Sequence, residues 1–288
     1  MRPRDVLLAT LAPTLWGLAF VAIKVGLSTF TPSELVVLRF AIAGAPALVL
    51  PRPAVSWAAL LTIGLFLFAG QFLLLFFGIA WGMPTGLASV VVQTQAFFTV
   101  LIAWVALGDK PARRHIDGML IATAGLALVG LTVGGDFSAI GFAFVLAGAL
   151  SWGIGNVLVK RQRNVNMLAL MAWASVVPVV LAAILSLSVD GWAAFPARLA
   201  RLSWPAAAAV LYLGVAATAV TYAVWSDLLR RYSAAAVAPF ALLIPVVGTV
   251  SSWAIFRDRF GTLRLCGMAL VMAGVATIVF RRPGGSPE

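Results

Sequence analysis

The sequence predicts an all-α integral membrane protein, and three observations carry that expectation. Apolar residues fill 62% of the 288 positions, while charged residues fill only 10%. A soluble domain of this length needs far more charge to cover its surface. The mean hydropathy is +1.06. The apolar stretches are continuous and about 17 to 23 residues long, which suits helices crossing about 30 Å of hydrocarbon. A membrane β-barrel would show strict alternation over segments of about ten residues instead. Lipid offers the backbone no hydrogen-bond partners, so helices, which satisfy their own, are what remains.

Ten spans fit the stretches: 5–27, 32–50, 56–79, 84–107, 115–133, 137–160, 166–188, 203–225, 235–256 and 262–281. The first follows Arg2 and Arg4 but is long and lacks a small-residue cleavage site, so it reads as an uncleaved helix. Pro32, Pro84 and Pro205 mark span starts, where a missing N–H costs nothing. Between the third and fourth spans, Gly78, Gly82 and Gly86 form two GxxxG spacings and predict that these two spans approach closely. The fifth follows the charged stretch Asp109–Asp117, whose His115 is the only histidine and reads as a solvated loop residue. A longer connection, Asp190–Ser203, holds Trp192, Pro196, Arg198 and Arg201 and is expected to lie at an interface. In the ninth span Pro239 and Pro245 free the carbonyls of Ala235 and Ala241 and bend the helix as a hinge. Such carbonyls can accept from an ammonium group, or the bend supplies compliance alone.

The frame Trp16-Gly17…Lys24 returns as Trp152-Gly153…Lys160 at a shift of 136. Further along, a shift of 149 superimposes Trp104 on Trp253, Asp109 on Asp258, Gly118-Met119 on Gly267-Met268 and Gly125 on Gly274. One insertion near 190–203 explains both offsets. The chain thus divides into units 1–135 and 136–288 of five spans each. An odd number inserts the second unit from the opposite face, an inverted repeat of the kind found in secondary transporters. With the N-terminus inside, the inner Lys and Arg are Arg2, Arg4, Arg52, Lys110, Arg113, Arg114, Lys160, Arg161, Arg163, Arg230, Arg231, Arg281 and Arg282. The outer set, Lys24, Arg198, Arg201, Arg257, Arg259 and Arg264, is the smaller, which predicts that both termini are cytoplasmic.

The net charge of +11 does not imply nucleic acid, because the basic residues sit in short connections rather than in a stripe interleaved with aromatics. One cysteine, Cys266, allows no disulfide framework or thiolate metal site, and no cofactor is expected. Asp5, Glu34, Asp109, Asp117, Asp136, Asp190, Asp227, Asp258 and Glu288 all fall at span ends or in loops. A proton-coupled carrier usually needs an ionisable group near midplane, so the expected transport does not use a buried carboxylate. Arg39 lies about two turns into the second span; it either binds a substrate carboxylate, or snorkels or pairs with Glu34. Lys24 and Lys160 end their helices, where they suit the dipole and an interfacial anchor. Gln71, Gln93, Gln95, Asn156 and Tyr222 are hydrogen-bonding groups inside apolar runs and must face protein or a cavity. On a regular helix Gln93 and Gln95 differ by about 200°, so at most one is expected to be a direct ligand. Trp16 and Trp152 either line that cavity or pack at helix crossings. Phe20 stands where the second copy has Asn156, an asymmetry that makes this level the expected substrate position.

Trp16-Gly17, Leu38-Arg39-Phe40, the stretches Gly82–Ser89 and Gln93–Thr99, and Gly118 together resemble the EamA family, the bacterial branch of the drug/metabolite transporter superfamily. The resemblance covers essentially the whole chain, and extends to amino-acid exporters of the EamA and YddG type. It implies ten helices around a central cavity and export of amino acids or related metabolites across a bacterial inner membrane by alternating access. Trp16, Phe20, Arg39, Gln71, Gln93, Trp152, Asn156 and Tyr222 are the candidate substrate-binding residues. The expected partners are a small-molecule substrate and lipid, with the monomer as the working unit. A lipophilic-cation exporter of the same architecture would want an acidic residue inside the membrane. A membrane-embedded enzyme would need a reactive cluster that the sequence does not offer.

Overall fold

A computed structural model describes residues 1–133, 138–162, 165–189, 191, 193–232 and 234–279. Arg163, Arg281 and Arg282, used for orientation, lie outside the described residues, as do Asp136, Asp190, Trp192, Glu288 and the division at 135/136. The described residues are helical throughout their regular elements. In chain order the main helices are α1 Pro3–Gly26, α2 Pro32–Gly44, α3 Trp57–Ala80, α4 Thr85–Leu107 and α5 Arg113–Gly130. They continue with α6 Ala139–Lys160, α7 Met167–Val189, α8 Trp204–Arg231, α9 Ala238–Phe256 and α10 Thr262–Val279.

Eight of these, all but α2 and α5, are long and apolar enough to cross a membrane. The two exceptions have local causes. α2 stops after 13 residues and tightens into a 3-10 turn at Ala45–Leu48, where Pro46 brings no N–H. α5 opens on Arg113, Arg114 and His115 in its first turn, with Asp117 just beyond. α8 runs past the expected end at 225, because Arg230 and Arg231 at its tip pair with Asp227, and Arg231 also with Asp5.

Polar residues set the helix starts. Thr31 and Glu34 form a capping box at α2, and the hydroxyls of Ser56, Ser138 and Ser203 accept from the first turns of α3, α6 and α8. His115 has the same kind of task, its Nδ1 accepting from the Ala112 N–H. At its end α4 closes on Gly108 in the left-handed region, and α9 closes on Arg257 in the same conformation, the residue that the 149 shift matches to Gly108.

Long-range bonds define two faces of the bundle. On the first lie Asp5 with Arg231, and Asp109 with Lys160. The second holds Lys24 with Asp258, and Glu34 with Arg198 of the short helix Ala194–Ala200. Lys24 and Lys160 are therefore ion-paired residues rather than simple anchors.

Glycines let the helices meet backbone to backbone. A Cβ on Gly118 would stand 2.6 Å from the Gly274 carbonyl, and one on Gly125 2.7 Å from that of Gly267, so α5 and α10 touch along their main chains. Gly17 of α1 packs on Val247 of α9, and Gly153 of α6 packs on Phe98 of α4. The expected use of Gly78, Gly82 and Gly86 needs correction. Gly78 seats Gly141 and Val145 of α6, Gly86 seats α9 through Thr249 and Ser252, and Gly82 supplies a positive φ of 97° in the turn. They join their hairpin to later helices instead of joining α3 to α4.

Candidate functional site

A cavity of about 420 Å³ lies inside the bundle. Its wall includes every one of the eight candidate residues: Trp16, Phe20, Arg39, Gln71, Gln93, Trp152, Asn156 and Tyr222. They come from α1, α2, α3, α4, α6 and α8, and α7 and α9 complete the wall with Met167, Met171, Ala241 and Ile244. Ile23, Leu75 and Ile244 at one end are buried, whereas Met167 and Leu229 at the other are 38% and 42% exposed. The cavity therefore reaches the first face and is shut toward the second.

The aromatic wall is interlocked. Trp16 meets Tyr222 and Trp225 edge to face at 5.5 and 5.4 Å, and its indole N–H donates to the Ala217 carbonyl at 3.0 Å. Trp152 meets Phe72 at 6.1 Å. Both tryptophans thus line the cavity and also pack at helix crossings, so the two sequence readings coincide.

Two π-helical stretches, Gly64–Gly70 in α3 and Tyr212–Val220 in α8, shape the wall. In a π turn the backbone bond reaches one residue further and exposes carbonyls to side chains. The Phe66 carbonyl accepts from Ser151 in this way, and Ala217, the acceptor for Trp16, lies in the second stretch.

Arg39 is 2% exposed, and Glu34 is not its partner. Five residues along a helix is about 140° of rotation, and Glu34 is bound to Arg198 at 2.5 Å. Arg39 instead donates through Nε to the Thr218 hydroxyl at 3.0 Å, with its guanidinium 4.1 Å from the Phe72 ring centre. Gln71 is 4% exposed and its Oε1 has no hydrogen-bond partner among the described residues. Asn156 donates to Thr99 Oγ1 at 3.1 Å.

Gln93 and Gln95 both border the cavity. A regular helix would set them about 160° apart, whereas the 3-10 turn at Val92–Thr94, at about 120° per residue, leaves them about 120° apart. Gln93 donates to the Ala241 carbonyl at 3.4 Å, the group that Pro245 was expected to free. Pro239 itself sits in a 3-10 turn, Ala238–Leu242.

Sequence reasoning missed Phe72, Met167, Met171, Trp225, Ser226 and Leu229. Three of these had a signal, because Trp225, Ser226 and Leu229 follow Tyr222 at i+3, i+4 and i+7 on one helix face.

A helical bundle with eight helices long and apolar enough to cross a membrane, around a mostly apolar, partly polar cavity, is the architecture a multi-pass membrane transporter requires. The chain belongs to the EamA-like transporter family, whose profile matches residues 4–131 and again 139–280. A relative from Escherichia coli K12 named "Probable amino-acid metabolite efflux pump" is 36% identical, over 97% of this chain and 96% of its own length. Its counterpart in Salmonella typhimurium is 36% identical with the same coverage. A "Probable terminal-alkyne amino-acid exporter" of Streptantibioticus cattleyicolor is 28% identical over 95% of this chain and 92% of its own. One solved structure, described only as a crystal structure of a protein, matches the fold with TM-score 0.64 at 20% identity, covering 96% of each chain. The family makes the protein a small-molecule exporter.

Proposed function

We propose that the protein exports amino acids or closely related metabolites across the inner membrane by alternating access, as a monomer. The substrate sits in the central cavity among Trp16, Phe20, Arg39, Gln71, Gln93, Trp152, Asn156 and Tyr222. The observation that carries this reading is the cavity itself, closed by buried side chains at one end and bordered by exposed ones at the other. Cavities of about 300 to 1,000 Å³ suit small ligands. The names of the relatives supply the substrate class.

Ten crossings in two inverted units, 1–135 and 136–288, with cytoplasmic termini, complete the proposal. Its support is an exchange of partners. The shifts of 136 and 149 carry the Lys24–Asp258 pair onto Lys160–Asp109, and the Gly17–Val247 contact onto Gly153–Phe98. Two units that swap contacts in this way can also swap open and closed ends. Pro245, next to Ile244 at the closed end, and Pro239, in the 3-10 turn at the start of α9, supply compliance. Among the described residues no carboxylate lines the cavity, which favours a cycle without a buried carboxylate and disfavours a lipophilic-cation exporter.

The test is uptake of a panel of labelled amino acids and one hydrophobic cation by purified protein in liposomes. Asn156→Ala and Trp16→Ala are expected to alter KM or the maximal rate. If neither moves the kinetics, the cavity assignment is wrong.

A further inference from the structure

Resting on the amino-acid reading above, the geometry points to a polarised site. Arg39 takes the substrate carboxylate, Gln71 takes its ammonium group, and the cavity turns away charged side chains.

Two buried groups of the wall have unfinished hydrogen bonding. A guanidinium buried in the membrane interior is strongly disfavoured unless paired. Among the described residues no carboxylate pairs with Arg39, and its one hydrogen-bond partner is the Thr218 hydroxyl, reached through Nε. The two terminal nitrogens, whose fork matches a carboxylate, remain. The ring of Phe72 holds the plane of that fork from one side. Gln71 is the complementary case: a buried acceptor without a donor, which costs free energy until a donor arrives.

The two groups share one wall. Gln71 precedes Phe72 in α3, and consecutive Cα atoms lie about 3.8 Å apart. The acceptor and the ring that steadies the guanidinium thus leave neighbouring backbone positions, about 100° apart around the helix, and both line the same cavity. Around them are Trp16, Phe20, Trp152 and Met171, with no acidic residue in the wall among the described residues. A lysine or arginine side chain would meet Arg39 without a counterion, and a glutamate side chain would leave one carboxylate unpaired in an apolar cavity.

The test is counterflow of labelled leucine in liposomes, competed by unlabelled leucine, leucinamide, which lacks the carboxylate, and N-acetylleucine, which lacks the ammonium. Leucine is expected to compete at least about tenfold better than either derivative. Arg39→Gln is expected to weaken leucine competition by at least about tenfold, while thermal stability in detergent holds or rises because a buried charge is gone. Gln71→Leu should erase the preference for leucine over N-acetylleucine but keep that over leucinamide. A stability loss in Arg39→Gln with unchanged leucine affinity would mark a structural arginine and overturn the assignment. Equal competition by leucinamide would overturn it as well, while leaving amino-acid export standing. Transport of the hydrophobic cation with no amino acid carried would remove both readings.

Discussion

Ser252 shows how much one hydroxyl can hold. It is fully buried, meets the Thr85 hydroxyl at 2.7 Å, accepts from the Gly86 N–H at 3.0 Å and donates to Asp258. It thereby ties the start of α4 to the end of α9 and steadies the acid that pairs with Lys24. Ser252→Ala leaves Thr85 and a buried N–H without a partner, which costs about 1 to 3 kcal/mol. A thermal melt in detergent reads this directly. Ser251→Ala is the control, since its hydroxyl bonds only the carbonyls of Val247 and Gly248 in its own helix and should change little. Sequence reading found the polar cavity residues because an amide or phenol inside an apolar run has few places to go. It could not find Ser252, since a serine near a helix end has many bland uses.

At the scale of helices, the close crossings rest on absent side chains. Gly118→Ala would push a Cβ against the Gly274 carbonyl and the backbone of Ile278, neither of which can rotate away. The expected loss is about 1 to 3 kcal/mol, as for overpacking elsewhere. Gly130→Ala meets nothing within 4 Å and should be close to neutral. Comparing the two melting temperatures separates contact from helix propensity. Helix starts were legible to within a few residues where Pro32, Pro84 and Pro205 mark them. The π stretches Gly64–Gly70 and Tyr212–Val220 were not legible, because a bond shifted by one residue leaves no mark in side-chain type. Nor were the partners of Gly78 and Gly86, since a GxxxG spacing says that something comes close without saying what. Met167 and Met171 were hidden for a similar reason, an apolar pair at i, i+4 reading equally as lipid-facing.

At the scale of the molecule, two ion pairs stand at opposite faces with unequal protection. Asp109 and Lys160 are 48% and 61% exposed, so salt screens them and their attraction is small. Asp258 is 14% exposed, and its partner Lys24 also lies 4.2 Å from the Phe256 ring centre. The better-protected pair sits where the cavity is shut. In a Cys266→Ser background, Leu75→Cys should be shielded from a thiol reagent applied at the second face. Adding Asp258→Asn should raise its labelling rate several-fold, while Asp109→Asn should leave it unchanged. Equal labelling in all three would separate the Lys24 pair from closure. The contact of α5 with α10 has a different consequence. Carbonyl against glycine leaves no side chain to turn, so this seam is the part of the protein least able to change its spacing. Spectroscopic labels set beside it would serve as a ruler's zero mark, against which any displacement of the cavity-lining helices could be measured.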